Sequence, residues 1–475
     1  MNFVSINKVG VLLIALLWPG VLPLAICQQA LPAFPGAEGF GSSATGGRGG
    51  QVVFVTNLHN DGEGSFRWAV EQFPGEPLTV LFRVGGIIEL SSKIVIKRSN
   101  LTIAGQSAPG EGICFKGHSL ILNGAAAGGN HGNIIMRYIR SRPGGNLSTG
   151  LYGFDMENCH DVIIDHCSFS WANEECAAMY DTRFTTVQWC IISEALYNAN
   201  HMKGKRGYGG VWGGQFASYH HNLFAHLQSR AIRFNGARAH DTTALVDYRN
   251  NVVYNWANTN ACYGGEVHIE GGRSQVNMVS NYYKPGPATA SQKKWVHATY
   301  QPSAAKGIGQ WFAQGNVMEA QPLLNKNNAM GIDVSELPEA YRRQAIVTQP
   351  FSISASISTQ SASKAYRIVL KEAGAIFPIR DAVDARVVNE VATNKPAAMG
   401  SYGKAGIIDD PIAVGGWPIY RTAAAPLDSD MDGMPDEWEK LNGLNPFDAT
   451  DRNKIHASGY TMLERYLNQL VLIKK

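Results

Sequence analysis

One short pattern of hydrophobic and polar positions recurs between residues 100 and 285. Each repeat is an apolar, β-branched run with alternating polar residues, followed by Asn, Gly or Ser. Successive repeats begin 24 to 33 residues apart, at positions 100, 133, 161, 185, 217, 244 and 275. Runs of this length and composition predict β-strands. Their uneven spacing argues against a propeller and favours a solenoid, in which stacked coils contribute short strands to parallel sheets and variable loops project outward.

Asparagine recurs at the turns that follow these runs. The positions are Asn222, Asn250, Asn251 and Asn281, and their spacing predicts side-chain ladders between coils. A β-sandwich is the alternative fold. Few hairpin dipeptides separate the runs, so the solenoid is the better interpretation.

The pattern changes after about residue 300. Apolar residues at three- and four-residue spacing predict helices over 363–372 and 381–391, packed on the solenoid. The stretch 422–426 is rich in Pro and Ala and is typical of a linker. We therefore expect a β-solenoid domain over residues 28–420 and a small C-terminal module over 421–475.

The first residues have the pattern of an export signal, which we assign to residues 1–27. Lys8 precedes an apolar run that is broken by Pro19, Gly20 and Pro23, so the run is too short and interrupted to span a membrane. We expect a secreted or periplasmic protein. A lipoprotein anchored at Cys27 is the less favoured alternative, because Ile26 is a poor residue before a lipidated cysteine.

Composition narrows the range of functions that this protein could have. Charged residues are 17% of the chain, there are 51 glycines, and the net charge is +3, which is too small to indicate nucleic-acid binding. Attraction for an acidic substrate must therefore come from a local patch. Cys27 aside, six cysteines remain; they could form disulfides or be free core residues, and the sequence leaves both readings open.

The most specific local motif is in the C-terminal module. It has oxygen-bearing residues at positions one, three, five, nine and twelve of a calcium loop, with Gly433 at position six. The predicted calcium ligands are Asp428, Asp430, Asp432, Asp436 and Glu439. No entering helix is predicted before the loop, so we expect a structural half-site and not a paired EF-hand.

A second group of chemically informative residues lies in the solenoid. Asp155, Glu174 and Glu175 are about one coil apart and can converge on one groove, where clustered carboxylates either titrate abnormally or hold a cation. A basic set follows, with Lys203, Arg230 and Arg233 as its informative members. Cation-binding acids beside guanidinium groups suit an anionic substrate whose carboxylate bridges the metal and the arginines. The alternative for both groups is ordinary solvated surface charge.

Five phrases in this order resemble polysaccharide lyase family one, the pectate lyases. They are AFPGAEGFG at 33–41, VIIDHCSFSW at 162–171, GYGGVWGG at 207–214, HHNLF at 220–224 and SRAIR at 229–233. The resemblance covers residues 33 to about 285, and the tail resembles the C-terminal region of bacterial members. It implies an all-β fold, a right-handed single-stranded parallel β-helix, with a small C-terminal calcium-loop and helical module.

The resemblance also implies the chemistry, which is calcium-dependent β-elimination on polygalacturonate that leaves a 4,5-unsaturated sugar. Asp155 and either Glu174 or Glu175 match the metal ligands. Arg230 matches the base, while Lys203 and Arg233 match substrate-binding residues. We expect Ca²⁺ as the cofactor, polygalacturonate as the partner, no nucleic acid, no transmembrane segment and a monomer.

Two departures from the family pattern concern fine specificity. Ala231 and Ile232 stand where the family commonly has a proline, and Glu174–Glu175 stands where relatives often have Asp-Glu. Three other functions remain as alternatives: a pectin lyase acting on methyl esters, a β-helix hydrolase, and a non-catalytic carbohydrate-binding solenoid. The acidic cluster argues against the first. No adjacent aspartate pair on a strand supports the second.

Overall fold

The computed structural model describes residues 31–125, 131–145, 147–291 and 293–472. From Leu31 onward the described chain forms one compact unit. The signal peptide expected at residues 1–27, including Cys27, lies outside the described residues. In the part of the chain that is described, no helix is long and apolar enough to cross a membrane.

Short strands dominate the structure. The first half contains β1 (Gln51–Val55), β2 (Leu78–Phe82), β3 (Gly86–Glu89), β4 (Ile94–Ile96), β5 (Leu101–Ala104), β6 (Ile113–Lys116), β7 (Leu120–Asn123), β8 (His131–Arg137), β9 (Ile139–Arg142), β10 (Phe154–Glu157), β11 (Cys159–Asp165), β12 (Ser168–Ser170), β13 (Ala177–Tyr180) and β14 (Arg183–Gln188). The second half contains β15 (Ile191–Ser193), β16 (Val211–Trp212), β17 (Gln215–His220), β18 (Leu223–Ala225), β19 (Arg233–Phe234), β20 (Thr243–Arg249), β21 (Val252–Tyr254), β22 (Asn260–Gly264), β23 (Arg273–Val279), β24 (Tyr282–Lys284), β25 (Lys294–Ala298), β26 (Gly309–Gln314), β27 (Val317–Met318) and β28 (Ile332–Asp333).

Helices are short and lie mostly after residue 320. They are α1 (Phe66–Glu71), α2 (Pro322–Lys326), α3 (Glu339–Ala345), α4 (Ala362–Glu372), α5 (Ala382–Thr393), α6 (Asp436–Leu441) and α7 (Met462–Leu472). Single 3₁₀ turns occur at Gly105–Ser107, Asn328–Gly331, Pro411–Val414 and Asp451–Asn453.

The strands form three parallel sheets in which chain order is also spatial order. The first sheet is β1-β2-β5-β8-β11-β14-β17-β20-β23-β26, the second runs from β3 to β27, and the third runs from β4 to β28, each by steps of three strands. Each coil thus adds one strand to every sheet. The predicted parallel β-helix is confirmed. The β-sandwich alternative is wrong, because sandwich sheets are antiparallel.

Side chains alternate between the interior and the surface along each strand. In β10, Phe154 and Met156 point into the core, while Asp155 and Glu157 point outward on the third sheet. Inside, the rings of Phe154 and Phe169 stack with centroids 5.2 Å apart. The six described cysteines are all buried and unpaired. Of the two readings that the sequence left open, the free core residues are therefore the ones observed.

An asparagine ladder runs inside the turn between the first and second sheets. Asn222, Asn251, Asn281 and Asn316 stack, and each side-chain oxygen accepts the backbone N–H of the asparagine one coil before it, at 2.9 Å in all three steps. The amide groups also donate to backbone carbonyls of the preceding coil, as from Asn251 to Tyr219 at 2.9 Å. Three of the four predicted positions form this ladder.

The fourth predicted position, Asn250, lies beside the ladder. It adopts a left-handed conformation, with φ of 51°, and its side chain donates to the carbonyls of Ser280 and Gln360. It therefore joins neighbouring coils to the segment that follows the solenoid.

The two predicted helices are confirmed as α4 and α5. The carboxylate of Asp381 accepts the backbone N–H of Asp384 at 3.0 Å and so caps the start of α5. Val369 of α4 and Val387 of α5 pack against Leu223 in the second sheet. The helices therefore cover the second sheet and leave the third sheet free to carry a site.

We expect the Asn251→Ala variant to lose about 2–4 kcal/mol of unfolding free energy. The buried backbone N–H of Asn222 and the buried carbonyl of Tyr219 would each lose a hydrogen-bond partner. Chemical denaturation measures this loss. Asn389→Ala, at an exposed position of α5, is the matched control and should change stability by less than about 0.5 kcal/mol. Equal stability of the two variants would contradict a structural role for the ladder.

Candidate active site

The candidate site lies on the outward face of the third sheet. Asp155 lies in β10, level with Ile121 on one side and Ala178 on the other. Its carboxylate is 8% exposed and accepts no hydrogen bond from any described side chain. Glu157, two residues later, points to the same face. Two carboxylates thus share a part of the sheet that offers them little neutralisation.

Glu175 belongs to the next coil and faces a cluster of basic residues. It forms a parallel bridge with Tyr208. Its Oε1 accepts a hydrogen bond from Nη1 of Arg230 and lies 3.7 Å from Nη2 of Arg206. Glu175 is also close enough to Asp155 for its charge to affect that group. It therefore joins the acids of β10 to the arginines.

Glu174 points to a different set of partners. Its carboxylate contacts His201 and Arg206, and Nζ of Lys203 lies 3.5 Å from its Oε1. His201 and Arg206 are buried or nearly so, whereas the Lys203 side chain is 64% exposed. Glu174 therefore contacts three basic side chains, whereas Asp155 forms no ion pair with any described residue.

Two tyrosines hold Arg230 in place. Its guanidinium lies 4.1 Å from the centre of the Tyr208 ring, and its Nε donates to the Tyr263 hydroxyl at 2.9 Å. Arg206 approaches the same Tyr208 ring at 4.5 Å. The backbone of Arg230 is left-handed, with φ of 57°, which is uncommon for a residue other than glycine. Contacts on both sides of the guanidinium fix its orientation.

Arg233 lies further along the same face, in β19. It is level with Tyr263 of the next coil, and its Nη2 donates to Glu266 at 2.8 Å. Arg238 also contacts Glu266, at 3.3 Å. Arg233 is therefore next to the Arg230–Tyr263 pair but has its own carboxylate partner.

Comparison with known proteins gives a consistent result. No protein-family model matches the chain. A probable pectate lyase C of Aspergillus fumigatus is 34% identical over 461 residues, covering 95% of this chain and 98% of its own. The probable pectate lyase C of Emericella nidulans is 31% identical and covers 95% of this chain and 96% of its own. The chain belongs to the pectate lyase family.

Among solved structures, a pectate lyase of Bacillus sp. N165 in complex with trigalacturonate has a TM-score of 0.47 and is 20% identical, covering 71% of this chain and 98% of that one.

Burial and charge set the protonation of this pectate lyase's site. Burial raises the pKa of Asp155 to about 8, and the negative charges of Glu157 and Glu175 add to the rise. Burial also raises the pKa of Glu175, although Arg230 opposes the shift. For Arg230, burial lowers the pKa, but Tyr263 and Glu175 outweigh it, so the net shift is upward. Without a cation, Asp155 therefore favours its neutral form near neutral pH, and Arg230 stays charged.

The structure therefore brings Asp155, Glu175 and Arg230 together, with Arg233 three residues after Arg230 in the same coil. Glu174 and Lys203 contact each other beside them. Sequence reasoning assigned no role to several residues that shape the site, namely Glu157, His201, Arg206, Tyr208 and Tyr263. Glu157 had a usable signal, because a residue two positions from Asp155 lies on the same face of a strand.

The predicted calcium loop of the C-terminal module divides into two groups of carboxylates. Asp428, Asp430 and Asp432 bring oxygens within 4.8 Å of one another, and so do Asp432, Glu439 and Asp451. Asp436 belongs to neither group. Its oxygens accept the backbone N–H and the hydroxyl of Ser429, at 2.7 and 2.8 Å. Asp451 was not predicted, since it lies outside the loop motif.

The raised pKa of Asp155 predicts a pH-dependent stability when calcium is removed by a chelator. An unfolded aspartate titrates near about 3.9, whereas folded Asp155 titrates near about 8. Between these values the folded state holds a proton that the unfolded state has lost, so stability falls as pH rises. Relative to the wild type, Asp155→Asn should therefore gain about 2–4 kcal/mol between pH 5 and pH 9.

Denaturant unfolding in chelator across this pH range makes the measurement. Asp61→Asn is the control, because Asp61 is exposed and its replacement should leave the pH profile unchanged. A constant difference between Asp155→Asn and the wild type at all pH values would contradict the assignment.

Proposed function

We propose that this pectate lyase cleaves polygalacturonate by calcium-dependent β-elimination, with Arg230 as the base. One observation carries the proposal: Glu175 contacts the guanidinium of Arg230 and lies near the buried Asp155, which forms no ion pair with any described residue. Carboxylates that can bind a cation thus lie next to guanidinium groups that can bind a uronate carboxylate.

The donor set fits calcium. Asp155, Glu157 and Glu175 offer only carboxylate oxygens, which this hard cation prefers. We assign Glu175 and not Glu174 to the cation, because Glu175 lies beside Asp155, whereas the carboxylate of Glu174 is directed toward His201, Lys203 and Arg206. When bound, calcium would draw electron density from the uronate carboxylate and acidify the neighbouring C5 proton.

Substrate positioning falls to two further cations near this point, Lys203 and Arg233. Lys203 is mostly exposed and only loosely paired with Glu174, so its ammonium group can turn toward a substrate carboxylate. Arg233 presents a planar guanidinium on the same face as Arg230, a geometry that suits a carboxylate. Glu174 holds the segment that carries Lys203 through its contacts with His201 and Arg206.

Arg230 then performs the proton transfer. It takes the C5 proton, the electrons of the C5–H bond form the C4=C5 double bond, and the C4–O bond breaks. The leaving oxygen gains a proton, and the new chain end is a 4,5-unsaturated sugar. The Tyr208 ring and the Tyr263 hydroxyl hold the guanidinium in one orientation during this step.

An arginine base requires its pKa to fall. In the structure Glu175 helps to keep the pKa of Arg230 high. If Glu175 turns to the cation, Arg230 loses this ion pair while its burial continues to favour the neutral form. Activity should therefore favour alkaline pH.

We further propose export, through the signal at residues 1–27, to the secreted or periplasmic location where such a substrate is met. A monomer is expected. Sedimentation of the mature protein would test that expectation.

Arg230→Lys should lower kcat by about 10²–10⁴-fold, the usual contribution of a general base, with calcium affinity nearly unchanged. The assay follows the ultraviolet absorbance of unsaturated uronide released from polygalacturonate. Arg273→Ala is the matched control, since Arg273 is exposed on the first sheet, and it should keep full activity.

Three results would contradict the proposal. Full lyase activity in Arg230→Lys would remove Arg230 from catalysis. Reducing ends without unsaturation would indicate a hydrolase, and binding without any cleavage would indicate a binding module.

Glu175→Gln and Glu174→Gln should fail in different ways. Glu175→Gln removes a proposed calcium ligand and should raise the calcium concentration for half-maximal activity by about tenfold or more. Glu174→Gln releases His201, Lys203 and Arg206 and should raise KM for polygalacturonate at saturating calcium. The reverse outcome would assign the ligand to Glu174.

A further inference from the structure

We propose that Asp451 completes a calcium site in the C-terminal module, and that this ion latches the module onto the first coils of the β-helix. The C-terminal latch is defined here as residues 427–472. The proposal is independent of the active site, which lies on the third sheet.

Two separate segments build this site. The loop that starts at Asp428 supplies Asp430 and Asp432, and α6 supplies Glu439. The chain then turns away and returns at the 3₁₀ turn Asp451–Asn453, which brings Asp451 within 4.8 Å of Asp432 and Glu439. An ion here would join the beginning of the latch to its middle.

Unpartnered buried oxygens point to a ligand at this place. Glu439 has 0% exposure, and neither of its carboxylate oxygens has a hydrogen-bond partner among the described residues. The same is true of Oδ1 of Asp451, also at 0% exposure, and of Oδ2 of Asp432. A buried carboxylate oxygen without a partner is costly, so a group that the protein atoms do not supply must satisfy them.

The charge balance leads to the same inference. Five carboxylates meet here, those of Asp428, Asp430, Asp432, Glu439 and Asp451. Two cationic side chains approach them: Arg83, 3.4 Å from Asp428, and Lys454, 3.4 Å from Asp451. The remaining negative charge calls for a divalent cation.

The donor chemistry selects calcium over other metals. Neither group of carboxylates contains a cysteine or histidine, which disfavours zinc and copper. Both oxygens of Glu439 are free, so they can bind the ion together, as the last residue of a calcium loop does. Magnesium demands a tighter octahedron and retains several waters, so it fits this crowded carboxylate set less well.

Asp436 has a different role from the one that the loop motif predicts. Both of its carboxylate oxygens accept hydrogen bonds from Ser429, so Asp436 joins the end of the loop to its beginning. Position nine of such loops commonly acts through a water, which agrees with a place outside the inner shell. Asp436 and Asp451 therefore form a matched pair for mutation.

The loop is seated directly on the first coils. Gly433 has φ of 101°, and a Cβ there would come within 2.5 Å of Leu81 in β2. Met434 is fully buried in a cluster with Leu81 and with Leu463 of α7. Because the loop touches β2 so closely, the ion that shapes the loop also fixes where the latch docks.

Polar contacts reinforce the same docking. Arg83, directly after β2, donates to the carbonyl of Pro426 at 3.0 Å. Arg48 pairs with Glu464 of α7 at 2.7 Å. The latch thus covers the first strands of the first sheet, which would otherwise lie exposed at the start of the solenoid.

Binding of calcium alone, and of terbium as its luminescent analogue, tests the site. The measurement uses the mature chain carrying Glu175→Gln, which weakens the proposed active-site ion, and reads terbium emission sensitised by Trp438, the neighbour of Glu439. Asp451→Asn removes a proposed direct ligand and should weaken binding by about a hundredfold or more. Asp436→Asn removes only an outer-sphere partner and should weaken binding by about tenfold, the lower end of the range for such partners.

Hydrogen exchange tests the latch in the unmutated chain, so the result does not depend on a variant that might fail to fold. Chelator should accelerate exchange in α7 (Met462–Leu472), whereas amides of the central first sheet, such as β14 and β17, should change little. Unchanged exchange in α7, or a stronger effect of Asp436→Asn than of Asp451→Asn on binding, would overturn the proposal. Neither result would bear on Arg230 or the lyase reaction.

Discussion

The register between coils is the constraint on which the rest of this structure depends. Strands stacked in parallel lie about 4.8 Å apart, so a residue meets the residue at the same position one coil later. The asparagine ladder keeps this register along the inner turn from Asn222 to Asn316. A slip of one residue would turn Asp155 inward and Phe154 outward. The site residues share the outward face of the third sheet only because core packing holds each coil in register.

Register also explains how distant residues meet. Glu175, Tyr208 and Ser229 form consecutive parallel bridges across three coils. Arg230 therefore reaches Glu175 although 55 positions separate them. Acidic side chains predominate at β10 and basic side chains toward β19. The sheet therefore has a negative end that can attract a cation and a positive end that can attract an anionic polymer.

Sequence reasoning recovered the first sheet better than the third. Strands such as β8 and β20 are seven residues long and contain three consecutive apolar residues, so their pattern is visible. The third sheet includes β16 and β19, each only two residues long, which no periodicity can reveal. Asp155 was identified because it matches a family motif, whereas Glu157 was overlooked although strand alternation in β10 places it on the same face. The family resemblance identified Arg230. Its contacts with Tyr208 and Tyr263 could not be predicted, because they depend on the register between coils.

The same limit applies to the C-terminal module. A spacing motif reports residues that one continuous loop can bring together, so it named Asp436 and could not name Asp451. Local hydrogen bonding to Ser429 occupies Asp436, while the returning chain delivers Asp451 to Glu439. A motif therefore fixes the kind of ion more securely than its full set of ligands.

The two carboxylate groups differ in what a cation would do for each. On the third sheet the acids lie beside Arg230, so an ion there can share its coordination with a substrate. In the latch the oxygens are enclosed by Met434 and the first coils, so an ion there has no room for a substrate and can only stabilise. An activity assay alone would report the combined effect of both proposed calcium ions, the one at the active site and the one in the latch. The distinction follows from what lies beside each group: the acids of the third sheet adjoin the guanidinium of Arg230, whereas those of the latch lie against Met434 and the first coils.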